Sequence, residues 1–239
     1  MTMDEQFLRT AMLLGEDAVN RLRSARVAVF GIGGVGGYAV EALARAGVGR
    51  LVLIDSDRVS VSNINRQIIA THSTVGQYKT EAMRDRIHSI NPDAVVECHN
   101  IFFDAESAGE IDFSTLDYVI DAIDSLGAKI ELITTAHNAG VRIISAMGAG
   151  NKLDPTLFEV SDIAKTTVCP LARAVRLGLR KKGINHLKVV YSKELPVIPP
   201  EVSDGVKKRV PGSISFVPST MGLILAGEVI KDIALTEKG

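Results

Sequence analysis

Four groups of residues in this sequence have the types and spacing to do chemistry. The first is Gly31-Ile32-Gly33-Gly34-Val35-Gly36, set directly after an apolar run, Val27 to Phe30. Glycines in such a turn leave backbone N–H groups bare, so a phosphate can rest on them at the N-terminus of a following helix. The second is Asp55, with Asp57 two residues on; an acid at the end of a strand can accept hydrogen bonds from ribose hydroxyls. The third is Asn63, Arg66, Gln67 and Lys79, two cations and two neutral amides in a polar stretch. The fourth is the acid pair Asp121 and Asp124. A dinucleotide pyrophosphate is often satisfied by backbone N–H groups alone. A triphosphate with its metal needs more positive charge and an acid for the metal. Arg66 and Lys79 meet the first need and Asp124 the second, so ATP with Mg2+ at Asp124 is the expected cofactor set.

These residues need elements to hold them. The order strand, Gly-rich turn, helix to Ala46, strand Leu51 to Ile54, then Asp55 is a βαβ nucleotide-binding unit, which gives the glycine pattern its meaning. A helix is expected around Lys79 to Asn91, stopping at Asn91-Pro92. Further strands are expected at Ala94–Cys98, Leu116–Asp121 and Val141–Ser145, with a helix over Lys129–Ala139. Asp55, Asp121 and Asp124 then fall at the carboxyl ends of strands, where open α/β sheets bind ligands. The expected fold is α/β, a Rossmann-like, doubly wound, mostly parallel sheet with helices on both faces. After Gly148 we expect a helix over Pro170–Lys182, strands at Lys188–Tyr191 and Ser213–Val217, and a last helix at Thr220–Ile233. The C-terminal part should extend the same sheet, giving one unit with a nucleotide-binding half (1–150) and a substrate half (151–239).

The chain has 239 residues, 46% hydrophobic and 23% charged, enough for a sizeable core. Two cysteines, Cys98 and Cys169, argue against a disulfide framework and fit a reducing compartment. The opening residues carry no continuous apolar run, and the run around Met221–Leu235 is broken by charges, so a cytoplasmic protein with no membrane partner is expected. The net charge of −1 conceals an uneven distribution. Between Lys165 and Arg209 stand eleven basic residues against Glu194, Glu201 and Asp204, a local net of +8. The block includes Arg173, Arg176, Arg180, Lys181, Lys182, Lys207, Lys208 and Arg209. Such a block reads as a polyanion-binding surface, as for a nucleic-acid backbone, against the plainer alternative of a solvated helix face.

Taken in order, Gly31-x-Gly33-Gly34-x-Gly36, Ile54-Asp55-x-Asp57-x-Val59, Ser62-Asn63-x-x-Arg66-Gln67, Gly76-x-x-Lys79 and Asp121-x-x-Asp124 resemble the signature of the ubiquitin-activating-type adenylating family. That family includes bacterial activators of sulfur-carrier proteins. The resemblance implies that the glycines hold phosphates, that Asp55 binds ribose, that Asn63, Arg66 and Lys79 contact the triphosphate, and that Asp124 sits near magnesium. It also implies that Arg9 reaches the active site of a second copy, hence a homodimer with two composite sites. The shared chemistry is attack by a carboxylate on ATP, with Arg66, Lys79 and Asp124 offsetting the repulsion between two anions.

Within the family, the chain departs from the sulfur-carrier activators, whose paired CxxC motifs for zinc it lacks. Asn91-Pro92, Asp121-Ala122-Ile123-Asp124-Ser125, Gly148-Ala149-Gly150 with Asp154-Pro155-Thr156, Asp162 to Thr166 with Pro170-Leu171-Ala172, Tyr191 to Glu194 and Pro211-Gly212-Ser213 are similar to members that act on a modified adenosine beside the tRNA anticodon. Those members activate a threonyl carboxylate, and a tethered carbamoyl group closes a ring with loss of water. The competing expectation is an adenylyltransferase for a ubiquitin-like sulfur carrier. A non-enzymatic nucleotide-binding module would leave Arg66 and Lys79 idle, and an NAD-dependent oxidoreductase would not turn over ATP. Cys169 lies where some relatives keep a reactive thiol and leaves room for a sulfur-relay protein partner, but a lone cysteine of this kind more often packs.

Overall fold

The computed structural model describes residues 4–197 and 211–235. Two short helices, α1 (Leu8–Leu14) and α2 (Glu16–Ser24), lead into β1 (Arg26–Phe30), separated by Gly15. There follow α3 (Gly36–Arg45), β2 (Arg50–Ile54), α4 (Lys79–Ile90), β3 (Val95–His99), β4 (Tyr118–Asp121), α5 (Leu126–Asn138) and β5 (Arg142–Ala146). The remaining elements are β6 (Phe158–Asp162), α6 (Pro170–Arg180), β7 (Lys188–Ser192) and α7 (Phe216–Ala234).

The seven strands form one sheet in the order β3-β2-β1-β4-β5-β7-β6. Every pairing is parallel except β6 on β7. Strand residues alternate between two cores, as a sheet buried on both faces requires. Val27, Val29, Leu51 and Leu53 pack with helix residues Val40, Leu43, Met83 and Leu225 on one side. Ala28, Phe30, Val52 and Ile54 pack with Phe103, Phe113 and Leu132 on the other. A third cluster around Val175, Leu179 and Val189 seats α6 beside β7. The C-terminal part thus joins the sheet, as expected.

Two expectations need correction, and one strand is additional to those expected. Ser213–Val217 is not a strand: Ser213–Ser215 have no strand or helix, and α7 begins at Phe216. Its Val217, Met221, Leu225, Val229 and Ile233 recur every four residues and are buried, and Pro218 is tolerated in a first helical turn. The stretch from Phe158 forms the antiparallel edge strand, an element that periodicity did not reveal. The helix from Pro170 ends at Arg180 rather than Lys182.

The strand order reverses at β1/β4, where chain connections leave β1 toward β2 on one side and enter β4 on the other. Crevices of this kind, beyond the carboxyl ends of the strands, are where α/β sheets hold ligands.

Candidate active site

A cleft of about 670 Å3 opens at that switch point. Gly31, Gly33, Gly34, Asp55, Asp57, Asn63, Arg66, Gln67, Lys79 and Asp124 all line it. The turn after β1 is shaped by two glycines. Gly31 has φ +88°, a region that side chains disfavour, and a Cβ there would lie 2.7 Å from the Ala122 carbonyl oxygen. Gly36 opens α3 under the turn, and a Cβ on it would overlap the Gly31 carbonyl oxygen. Gly36 does not line the cleft, so its expected contact with phosphate is corrected to a packing role that lets helix and turn meet.

Asp55 follows the last residue of β2 and is held from both sides. Its Oδ2 accepts from the Ile32 N–H at 2.6 Å and its Oδ1 from the Asp57 N–H at 2.8 Å. Burial pushes its carboxyl above the usual range, and the Lys79 ammonium and the two N–H donors oppose that rise. Lys79 starts α4 and is buried, with its Nζ 2.6 Å from Asp57 Oδ2 and 3.8 Å from Asp55 Oδ1. Asp57 itself is largely exposed, so an arriving phosphate can replace it as the counter-ion. Arg66 is oriented by bonds from one guanidinium nitrogen to the Ser62 carbonyl and Asn65 Oδ1. Asn63 Oδ1 caps its own turn by accepting from the Ser60 N–H. Gln67 is buried, and its Oε1 has no hydrogen-bond donor among the described residues.

Asp121 does not reach the cleft, which corrects its assignment to the cofactor. It is fully buried, 2.8 Å from Lys129 Nζ, and it also accepts from Ser145 Oγ and from the Ile123 N–H. Its part is to shape the turn that carries Asp124 outward. Asp124 is exposed on the cleft wall. No three His, Cys, Asp or Glu side chains cluster as a metal site among the described residues. One carboxylate fits magnesium, which commonly takes one or two carboxylates together with substrate phosphates. The bare-amide turn, the buried donor-free Gln67 Oε1 and the Lys79 ammonium fit a nucleoside triphosphate.

Arg9 lies on the exposed side of α1 and does not line the cleft of its own chain. Arg173, Arg180, Lys181 and Lys182 are exposed, with no acidic partner among the described residues. Arg176 differs: one guanidinium nitrogen donates to the Ile163 and Thr166 carbonyls and to Thr166 Oγ1. It anchors the turn before α6, so its expected role as a free phosphate contact is corrected. Lys188 and Lys193 are neutralised by Glu228, Asp232 and Glu159. Lys207, Lys208 and Arg209 lie outside the described residues. Cys169 is buried at the start of α6 on the cleft wall, its Sγ facing the Ala172 N–H at 3.5 Å.

The cleft also has lining to which the sequence reading gave no site role. Ile101-Phe102-Phe103 follows β3, and an apolar run just past a strand end was a readable signal. Met147 to Lys152, Pro196 and Pro211 to Ser213 close the other end, and no spacing pattern marked Lys152.

Residues 7–238 match the ThiF family, and the chain belongs to it. The chain is 42% identical to the tRNA threonylcarbamoyladenosine dehydratase of Bacillus subtilis (strain 168), covering 97% of this chain and 95% of that one. Among solved structures, it is similar to the E. coli tRNA N6-threonylcarbamoyladenosine dehydratase TcdA in complex with AMP, with TM-score 0.89 and 36% identity over 98% of each chain. The same E. coli protein in complex with ATP gives TM-score 0.88 and 35% identity, again over 98% of each chain.

Proposed function

We propose that this chain is an ATP-dependent tRNA threonylcarbamoyladenosine dehydratase. It uses ATP to activate the carboxylate of N6-threonylcarbamoyladenosine in tRNA so that the base modification closes into a ring. The observation that carries this reading is a cleft where the glycine turn, Asp55, Arg66, Lys79 and Asp124 meet, in a chain so similar to named dehydratases over nearly its full length. The absence of paired CxxC motifs sets it apart from the sulfur-carrier activators.

The cradle at Gly31, Gly33 and Gly34 offers backbone N–H groups to phosphate oxygens. Asp55, fixed by two N–H donors, presents its remaining lone pairs to ribose hydroxyls. Lys79 and Arg66 bring positive charge to the phosphates, and Gln67 and Asn63 add amide contacts. Asp124 would hold magnesium, which supplies charge neutralisation on the phosphates. A carboxylate oxygen of the tRNA nucleoside then bonds to a phosphorus of ATP while the bond to the departing phosphate breaks. The carbamoyl group attacks the resulting acyl carbon and gives up a proton, the acyl C–O bond breaks, and the phosphoryl group leaves with that oxygen, so the elements of water are lost from the nucleoside overall. The nucleophile is already tethered, so proximity supplies much of the rate, and Cys169 is not required. We assign tRNA backbone contacts to Arg173, Arg180, Lys181 and Lys182, with Lys207, Lys208 and Arg209 as further members from the sequence. We further propose a cytoplasmic homodimer in which Arg9 completes the partner copy's site, and a sulfur-relay protein as an additional partner. No helix among the described residues is long and apolar enough to cross a membrane.

The test is incubation of the purified protein with ATP, Mg2+ and tRNA carrying threonylcarbamoyladenosine, followed by nucleoside mass spectrometry under mild conditions. ATP-dependent loss of one water from that nucleoside is expected. An unchanged nucleoside would overturn the assignment. Binding of the same tRNA should weaken steeply with added salt.

A further inference from the structure

The cleft is lined from beyond the ends of five strands, β1 to β5, and its two ends differ in kind. Residues after β1 and β2 build the nucleotide cradle, whereas the far end is walled by the loop after β5 and by Cys169 to Leu171 and Pro211 to Ser213. Among the described residues lining that far end, Lys152 alone is charged. It is 5% exposed. Its Nζ donates to the Glu194 carbonyl oxygen at 2.6 Å, which uses one of three N–H groups. The Glu194 carboxylate makes no ion pair with it. That carboxylate accepts from the Leu153 N–H at 2.8 Å and the Asp154 N–H at 3.0 Å. No carboxylate lies within ion-pair distance of Lys152 among the described residues.

A buried ammonium without a counter-ion is unfavourable unless an anion reaches it. The loop that presents it is firmly tied. Asn151 Oδ1 accepts from the Gly212 N–H at 2.6 Å, the Asn151 N–H donates to Gly212 O at 2.8 Å, and the Val197 N–H donates to Asn151 O at 2.7 Å. Asn151 itself sits at φ +56°. A multiply anchored loop that sets among the cleft lining a buried cation with no carboxylate partner among the described residues is what a fixed anion site requires.

We propose that Lys152 binds the carboxylate of the acceptor nucleoside and so makes the far end of the cleft the acceptor site. This deepens the proposed function and rests on it. Pairing with Lys152 lowers the repulsion that the acceptor carboxylate meets as it nears the triphosphate. It also gives the enzyme a means of preferring tRNA that carries the threonyl carboxylate over tRNA that lacks it.

The experiment compares wild type, Lys152→Gln and Lys152→Met, the last keeping the packed stem. Binding of tRNA with threonylcarbamoyladenosine and of the same tRNA with plain adenosine is measured by fluorescence anisotropy, with a non-hydrolysable ATP analogue present. Steady-state KM values for tRNA and ATP and thermal melts are taken alongside. Wild type should favour the modified tRNA, and a folded variant should lose about tenfold or more of that preference and of kcat/KM for tRNA. The KM for ATP should stay within about twofold. A lysine that only pins its loop to residue 194 would move the melting temperature and leave the preference intact. Equal wild-type affinity for the two tRNAs, or an unchanged preference in a folded variant, would overturn the proposal, and the first needs no variant to fold. A wild-type protein that fails to cyclise the nucleoside would instead overturn the proposed function, and this inference with it.

Discussion

The Lys129 ammonium lies 2.8 Å from the Asp121 carboxylate, and neither side chain has exposed surface. Lys129 also donates to Ser145 Oγ at 3.3 Å and to the Ala146 carbonyl at 2.9 Å, so its three N–H groups are all used. Asp121 Oδ1 in turn accepts from the Ile123 N–H at 3.1 Å, tying the pair to the turn that carries Asp124. The pair therefore links the ends of β4 and β5 directly beneath the cleft.

Removing one partner of such a pair leaves a buried charge uncompensated. Lys129→Met should lower stability by about 3–5 kcal/mol in urea unfolding at neutral pH. A double change of Lys129 and Asp121 to apolar residues should recover much of that loss. Turnover should remain impaired in the double variant, because the turn before Asp124 has lost its tether.

The turn glycines separate binding from folding. Around Gly33 an added Cβ would meet only Gln67 Nε2, at 3.8 Å. Gly33→Ala should fold normally and weaken ATP binding by about tenfold in isothermal titration, since the methyl group enters the phosphate cradle. Gly36→Ala must push Gly31 away and should lose about 3 kcal/mol of stability in the same urea assay.

Lys79→Ala and Arg66→Ala should each reduce kcat by about 100-fold or more, as removal of a positioned charge from a developing anion does. Lys79→Ala also deprives buried Asp55 of its nearby ammonium, so its carboxyl should rise further and ribose binding weaken. In the proposed dimer Arg9→Ala should be inactive for a different reason, since its arginine would serve the other copy. Mixing Arg9→Ala with Lys79→Ala under conditions of subunit exchange should restore turnover that neither has alone. No recovery on mixing would remove the shared site.

A pH effect follows from the cluster joining α7 to the sheet. Burial raises the Asp232 and Glu228 carboxyls, but hydrogen bonds from Lys188, joined by Tyr118 for Asp232 and Lys231 for Glu228, outweigh it and hold both below their ordinary values of 3.8 and 4.5. In acid the unfolded chain then binds more protons than the native one. The stabilisation is complete above those ordinary values and is lost as pH falls through the lowered native ones. Asp232→Asn should be less stable than wild type by about 1 kcal/mol at neutral pH. Urea melts should show the gap narrowing as pH drops below 3.8.

Local pattern was enough to read the βαβ unit, the glycine turn and the acid at Asp55, because each is defined by neighbours within about one helix and two strands. The five motifs that carry the family resemblance are equally short in range. Strand order and burial are not. Asp121 and Asp55 look alike along the chain, yet Lys129 and Ser145 enclose one in the core while the other faces the cleft. Arg176 and Arg173 share a helix, and only packing against Thr166 tells the anchored one from the exposed one. Lys152 carries no motif at all. It gained its place when β7 came to lie beside β5 and brought the Glu194 carbonyl to its ammonium, a contact between segments some forty residues apart that side-chain periodicity does not encode.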